Sequence, residues 1–160
     1  MLKLNGDKIK LDEKNFELLS QLSELHLPTV DYANESSIWL SLKNLEILEL
    51  RDAELLDFHR LAELVQLKEL GLKFLQSNLD YYREMLYSEE HINLDPTNDD
   101  NCYFILNDLT NLTRLDLSQC HLTCINKKVL DNLKHLKYLN LSNNCINQIA
   151  DDTFDKLVNL

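Results

Sequence analysis

The sequence predicts an α/β solenoid, with one parallel sheet of short strands and short helices or turns returning along its other side. Three observations predict it. A phrase of apolar residues, LxxLxL followed by a gap, a small or polar residue and another apolar one, reads Leu112-Leu115-Leu117-Cys120-Leu122 and again Leu136-Leu139-Leu141-Asn144-Ile146. The phrase recurs at Leu22-Leu25-Leu27-Val30-Tyr32, at Leu45-Leu48-Leu50-Ala53-Leu55 and at Leu67-Leu70-Leu72-Leu75. Within each phrase the second and third leucines alternate with polar residues, as a half-buried strand requires, in segments too short to be stable alone. Stacking such segments side by side buries one continuous core.

Taking the first leucine of a phrase as position 1, repeats start at 22, 45, 67, 112, 136 and 160, at spacings of 23, 22, 45, 24 and 24. Residues 1–21 read as a partial repeat, with Leu2 and Leu4 at positions 4 and 6, Ile9 at position 11 and Phe16 in the returning arm. The return arms then carry Trp39 and Leu42, followed by Phe58, Leu61 and Leu64, all expected in the core. The 45-residue spacing reads as two repeats, the second starting at Glu89 in EEHINLDPT, with Ile92, Leu94 and Thr97 at positions 4, 6 and 9. Before it, SNLDYYREMLYSEEH places Leu79, Tyr82 and Leu86 on one helical face, and Ser77 with Asp80 forms a weak capping box, so a helix is expected there. The later arms carry Leu106 and Leu109, Leu130 and Leu133, and Ile149, Phe154 and Leu157. The whole of 1–160 is thus expected to form a single domain that begins inside a repeat and stops on position 1 of the next. Stacked repeats need polar caps, so a segment of a longer protein is expected; the alternative is a short chain with frayed ends.

At position 9 the chain turns away from the sheet and leaves backbone groups in need of partners. Asn144 can both donate and accept, Cys120 and Thr97 can do part of this, and Val30, Ala53 and Leu75 cannot. Differently satisfied turns are therefore expected in the N-terminal half.

A net charge of −11, from 16 basic and 27 acidic residues, argues against a nucleic-acid backbone or an anionic membrane as the main partner. Acidic pairs such as Glu89-Glu90, Asp99-Asp100 and Asp151-Asp152 read as solvated turns. The opening MLKLNGDKIKLDEKN lacks the apolar core of a signal peptide, and no stretch is long enough to span a bilayer. Cys102, Cys120, Cys124 and Cys145 are scattered inside repeats instead of clustering in caps; Cys102 and Cys120 read as small buried residues, which suits a reducing compartment. Zinc at Cys120, His121 and Cys124 would lack a second ligand pair. Sequons at Asn34, Asn111 and Asn140 read as accidents of the repeat text.

These phrases resemble the leucine-rich repeat superfamily along essentially the whole chain. LEILELRDAELLDFHRLAELVQ is similar to the 22-residue class first seen in a regulatory subunit of protein phosphatase 1, and LKYLNLSNNCINQIADDTFDKLVN to the 24-residue typical class of extracellular receptors and some bacterial proteins. The resemblance implies a curved solenoid with its parallel sheet on the concave side. Plentiful lysine, asparagine and isoleucine without cysteine caps also resemble bacterial effector-type members. An intracellular location, or secretion by a bacterium into a host cytosol, is expected over an extracellular one.

Members of this family bind protein or peptide partners on the concave sheet, and the register converts that into positions. The expected partner-binding residues are His26, Ile47, Glu49, Arg51, Lys73, Phe74, His91, Asn93, Asp95, Arg114, Asp116, Tyr138 and Asn140. Arg51, Lys73 and Arg114 are basic within an acidic chain and suit carboxylates on a partner; Phe74, Ile47 and Tyr138 are candidate apolar anchors. The competing reading is an ordinary solvated sheet with cross-strand pairs such as Glu49 with Lys73. None of the five histidines belongs to a nucleophile elbow, phosphate loop or zinc-binding pair, so no catalytic, cofactor or metal residue is expected. The expected function is a protein-interaction module. The alternative is a substrate-recognition or regulatory segment of a larger enzyme, such as a ligase or phosphatase regulator, or of an extracellular receptor.

Overall fold

The alternating leucines do what the pattern requires, and one parallel sheet results. The computed structural model describes residues 1–3, 20–28, 41–51, 58–73, 106, 108–120, 122, 125 and 127–160. In chain order the elements are β1 (Leu2–Lys3), β2 (Glu24–Leu27), β3 (Ile47–Arg51), a 3-10 helix η1 (Phe58–Glu63), β4 (Glu69–Lys73), β5 (Arg114–Asp116), a one-turn helix α1 (Lys127–Leu130) and β6 (Tyr138–Asn140). The six strands lie in the order β1-β2-β3-β4-β5-β6, each parallel to the next.

Register follows the leucines. Position 4 aligns with position 4 across the sheet, as Leu2 with Leu25, Leu25 with Leu48, Leu48 with Leu70, Leu70 with Leu115 and Leu115 with Leu139. Leu25, Leu48, Leu70 and Leu115 are fully buried or nearly so, as are Leu45, Leu67, Leu112 and Leu136 at position 1. Burying a leucine contributes roughly 1.5–3 kcal/mol, against about 1 kcal/mol net for a backbone hydrogen bond, so the leucine stack outweighs the short ladders in holding the repeats together.

Return arms close on the same core. Leu42, Leu61, Leu64, Leu109, Leu130 and Leu133 are all at most 1% exposed. A recurring turn links arm to strand: Leu45, Leu67, Leu112 and Leu136 each donate their amide to the carbonyl three residues earlier, at 3.0 Å. Between repeats, an asparagine just before position 1 reaches back to the preceding unit, Asn44 Nδ2 to Ser20 O at 3.2 Å, Asn111 Nδ2 to Val65 O at 2.9 Å and Asn159 Nδ2 to Lys134 O at 2.7 Å.

The sheet corrects the repeat expected at Glu89. β4 pairs directly with β5, Glu69 opposite Arg114 and Gly71 opposite Asp116, so no strand of a separate repeat stands between them. The bond from Asn111 to Val65, with Thr113 N donating to Lys68 O at 2.8 Å, is the contact adjacent repeats make elsewhere. The physical reason is legible: a repeat there would put Glu89 at position 1, where its neighbours bury leucine, and an unpaired carboxylate in that core is prohibitive. The unit starting at Leu67 therefore spans 45 residues before the next strand joins the sheet. Ile92, Leu94, Thr97 and the helix expected over Leu79, Tyr82 and Leu86 lie outside the described residues, as do Leu4, Ile9, Phe16, Trp39, Val30, Ala53, Leu75, Cys102 and Cys124, and the Phe58 side chain.

A second correction concerns Ile149. It is 47% exposed, because it belongs to the last repeat and has a neighbour on one side only; Leu157 is buried and Phe154 partly so. Position 9 behaves as its chemistry requires where it is described. Asn144 Oδ1 accepts from Cys120 N at 2.9 Å and Leu122 N at 3.0 Å, while its Nδ2 donates to Leu117 O at 2.8 Å and Leu141 O at 2.9 Å. One residue earlier in each unit, Gln119 and Asn143 take left-handed backbone, φ 59° and 57°, which turns the chain out of the strand.

Cys120 is buried, with its thiol donating to Leu72 O at 3.2 Å. Burial, with the nearby Asp116 charge, pushes its thiol up to about 12 despite Lys73. Thiolate is the reactive form, so Cys120 is expected to resist alkylation by iodoacetamide in the native protein while the exposed Cys145 is labelled. Peptide mapping before and after denaturation reads this directly, and native labelling of Cys120 at a rate matching Cys145 would contradict it.

Candidate interaction face

The outward positions of the strands form three rows running across the sheet. Because each row draws one side chain from each repeat, chemistry that is scattered along the sequence becomes contiguous.

The central row contains His26, Glu49, Gly71, Asp116 and Asn140. His26 Nδ1 meets Glu49 Oε2 at 2.8 Å and its Nε2 meets Glu24 Oε1 at 2.7 Å, so both ring nitrogens face carboxylates. At the other end Asn140 Nδ2 donates to Asp116 Oδ2 at 3.1 Å. Asp116 also accepts from Ser118 N at 2.9 Å, and Asn140 Oδ1 from Ser142 N at 3.0 Å. Desolvation raises the Asp116 carboxyl, but the Ser118 and Asn140 hydrogen bonds and the Lys73 charge outweigh it, leaving the group below its ordinary value. Between these two linked halves Gly71 supplies no side chain. Asn111 and Asn140 have their amides engaged, Asn111 with Val65 O and Asn140 with Asp116.

The second row contains Glu24, Ile47, Glu69, Arg114 and Tyr138. The Arg114 guanidinium lies 3.7 Å from the centroid of the Tyr138 ring, and its Nε is 4.0 Å from Glu69 Oε2. Tyr138 is 38% exposed, so an anchor role would use the ring face that Arg114 leaves open. The third row places Arg51 opposite Lys73. The expected pair of Glu49 with Lys73 does not form, because Glu49 faces Gly71 and turns to His26.

The structure thus brings together His26, Ile47, Glu49, Arg51, Lys73, Arg114, Asp116, Tyr138 and Asn140, and adds Glu24, Glu69 and Gly71, which sit on the same rows. Their signal was the register itself, since all three occupy outward positions. Phe74, His91, Asn93 and Asp95 lie outside the described residues. Among the described residues no group of three or more His, Cys, Asp and Glu side chains is placed to hold a metal ion, and no helix is long and apolar enough to cross a membrane.

The His26 arrangement sets a pH response. Desolvation lowers its pKa, yet the hydrogen bonds and charges of Glu24 and Glu49 outweigh that, and it is raised above the ordinary 6.5. A raised folded-state value means that the charged form is favoured on folding: this contribution is complete below 6.5 and fades as pH climbs through the higher folded value. NMR titration of the His26 ring is expected to give a midpoint above 6.5, falling in Glu24→Gln and in Glu49→Gln. A wild-type midpoint at or below that of the variants would contradict the arrangement.

Residues 110–160 match the family model for the leucine rich repeat. The chain has the fold of a leucine-rich-repeat solenoid. Solved structures of repeat proteins agree in fold. An internalin from Listeria monocytogenes has 21% identity and a TM-score of 0.56, over 93% of this chain and 36% of that one. The Toll–Spätzle complex of Drosophila has 15% identity and a TM-score of 0.55, over 95% of this chain and 21% of that one. The chain therefore spans about a third and a fifth of those two. No curated protein matches the sequence.

Proposed function

We propose that this leucine-rich-repeat chain is a protein-interaction module that takes up a protein or peptide partner on the concave, outward face of its sheet. The observation that carries the reading is the face itself. Parallel strands align His26, Glu49, Gly71, Asp116 and Asn140 into one row flanked by Arg51, Lys73, Arg114 and Tyr138, a rigid display of charged and aromatic groups whose inner sides are locked by buried leucines. The strand backbones of such a display are preorganised, so binding orders side chains only, and arginine and tyrosine are favoured at interface centres. The Toll structure, a complex with Spätzle, is a precedent for partner capture by a protein of similar fold.

Pull-down with the wild type and with the Arg51→Glu, Lys73→Glu, Phe74→Ala triple variant tests the placement. The expected result is a partner recovered by the wild type and lost by the variant. Equal recovery of that partner by both would overturn it.

A further inference from the structure

We infer that the gap at Gly71 is a subsite for an acidic side chain of a protein partner, whose carboxylate is held between Arg51 and Lys73. The inference rests on the concave-face reading above and makes it specific.

Three observations converge. First, the central row is interrupted. His26 and Glu49 are bonded on one side and Asp116 and Asn140 on the other, and Gly71 leaves a shallow pocket between them that Arg51 and Lys73 also line. A Cβ built at Gly71 would lie 3.3 Å from Glu49 Cγ, so even a methyl group begins to fill the space. Second, Arg51 and Lys73 are directly opposed on neighbouring strands, where like charges repel. Neither makes a contact ion pair with a described carboxylate, although the Lys73 charge is felt at Asp116, whereas Arg114 has Glu69 and Lys68 has Glu46.

Third, the carboxylates nearest the gap are already engaged. Glu49 is bonded to His26, Glu69 is beside Arg114, and Asp116 accepts from Ser118 and Asn140. A partner carboxylate would meet two adjacent cations whose mutual repulsion it relieves, on the side of the gap away from Asp116, whose bonds to the neutral Ser118 and Asn140 leave its charge in place. Strand spacing of about 4.8 Å sets Arg51 and Lys73 close enough for one carboxylate to contact both. The row's missing side chain lets that group lie over Gly71, with the Glu49 side chain as one wall.

The test is an amide NMR titration of the full chain with N-acetyl-glutamate N-methylamide, with N-acetyl-lysine N-methylamide and inorganic phosphate as parallel arms. Saturable shifts at Arg51, Gly71 and Lys73 with the glutamate probe are expected. They should weaken at least ten-fold in Arg51→Gln/Lys73→Gln and also weaken in Gly71→Ala. No saturable shift, or shifts unchanged in the double variant, would overturn the subsite. Tighter binding of the lysine probe or of phosphate at these amides would overturn the assigned chemistry. The same map read with the partner recovered by pull-down separates the two readings. Shifts across the outward amides of β2 to β6 that spare Arg51 and Lys73 sink the subsite alone, and shifts confined to the return arms sink the face as well.

Discussion

Replacing Asn144 with alanine is expected to destabilise the C-terminal repeats by about 2–4 kcal/mol, since it removes four hydrogen bonds worth roughly 1 kcal/mol each and strands backbone groups in a partly buried turn. Asn144 bridges two repeats. It accepts from Cys120 N and Leu122 N and donates to Leu117 O and Leu141 O. Asn144→Asp discriminates donor from acceptor: it keeps the two accepted bonds but turns a carboxylate oxygen toward the carbonyls of Leu117 and Leu141. That variant should be at least as unstable as alanine near neutral pH and should recover in part when acid protonates the carboxyl. Urea unfolding gives the magnitude, and hydrogen exchange at the Cys120 and Leu122 amides gives the location. A loss below about 0.5 kcal/mol, within the range of an ordinary surface substitution, would refute the bridging role.

The strands and their register were legible because the leucine code is local. Leu25, Leu48, Leu70 and Leu115 announce both the strand and the face it buries, and Asn144 announces its turn by a side chain able to donate and accept at once. The outward face was legible for the same reason, since alternation assigns Glu49, Arg51 and Asp116 to one side without further information. Counting failed where it assumed that every repeat has about the same length. Ile92 and Leu94 satisfy the spacing, but Glu89 does not satisfy the chemistry of position 1, and pairing across the sheet follows burial. The asparagines preceding position 1 were also missed as a ladder: Asn44, Asn111 and Asn159 recur visibly, yet their partners are carbonyls of the preceding repeat, and one of them, Val65, is 46 residues from Asn111. Within the face, the partners of His26 and Arg114 were beyond the sequence, because which of several nearby acids a side chain chooses depends on reach across strands.

The direct pairing of β4 with β5 makes a sharp energetic prediction through Leu70 and Leu115. Both side chains are buried, at 1% and 0% exposure, and they are opposed on adjacent strands. Each single change to alanine is expected to cost about 2–5 kcal/mol, from the lost transfer energy and the cavity left in a core that cannot collapse between rigid strands. Leu139→Ala, at a half-buried position in β6, should cost less. Because Leu70 and Leu115 share a contact, the Leu70→Ala/Leu115→Ala double variant should depart from the sum of the single losses by roughly 0.5–3 kcal/mol, the second truncation enlarging a cavity that already exists. Were a further repeat interposed, about 5 Å of additional strand spacing would separate the two side chains and their losses would simply add. Equilibrium unfolding of the four proteins in the cycle measures this, and additivity to within about 0.3–0.5 kcal/mol would argue for a strand between β4 and β5.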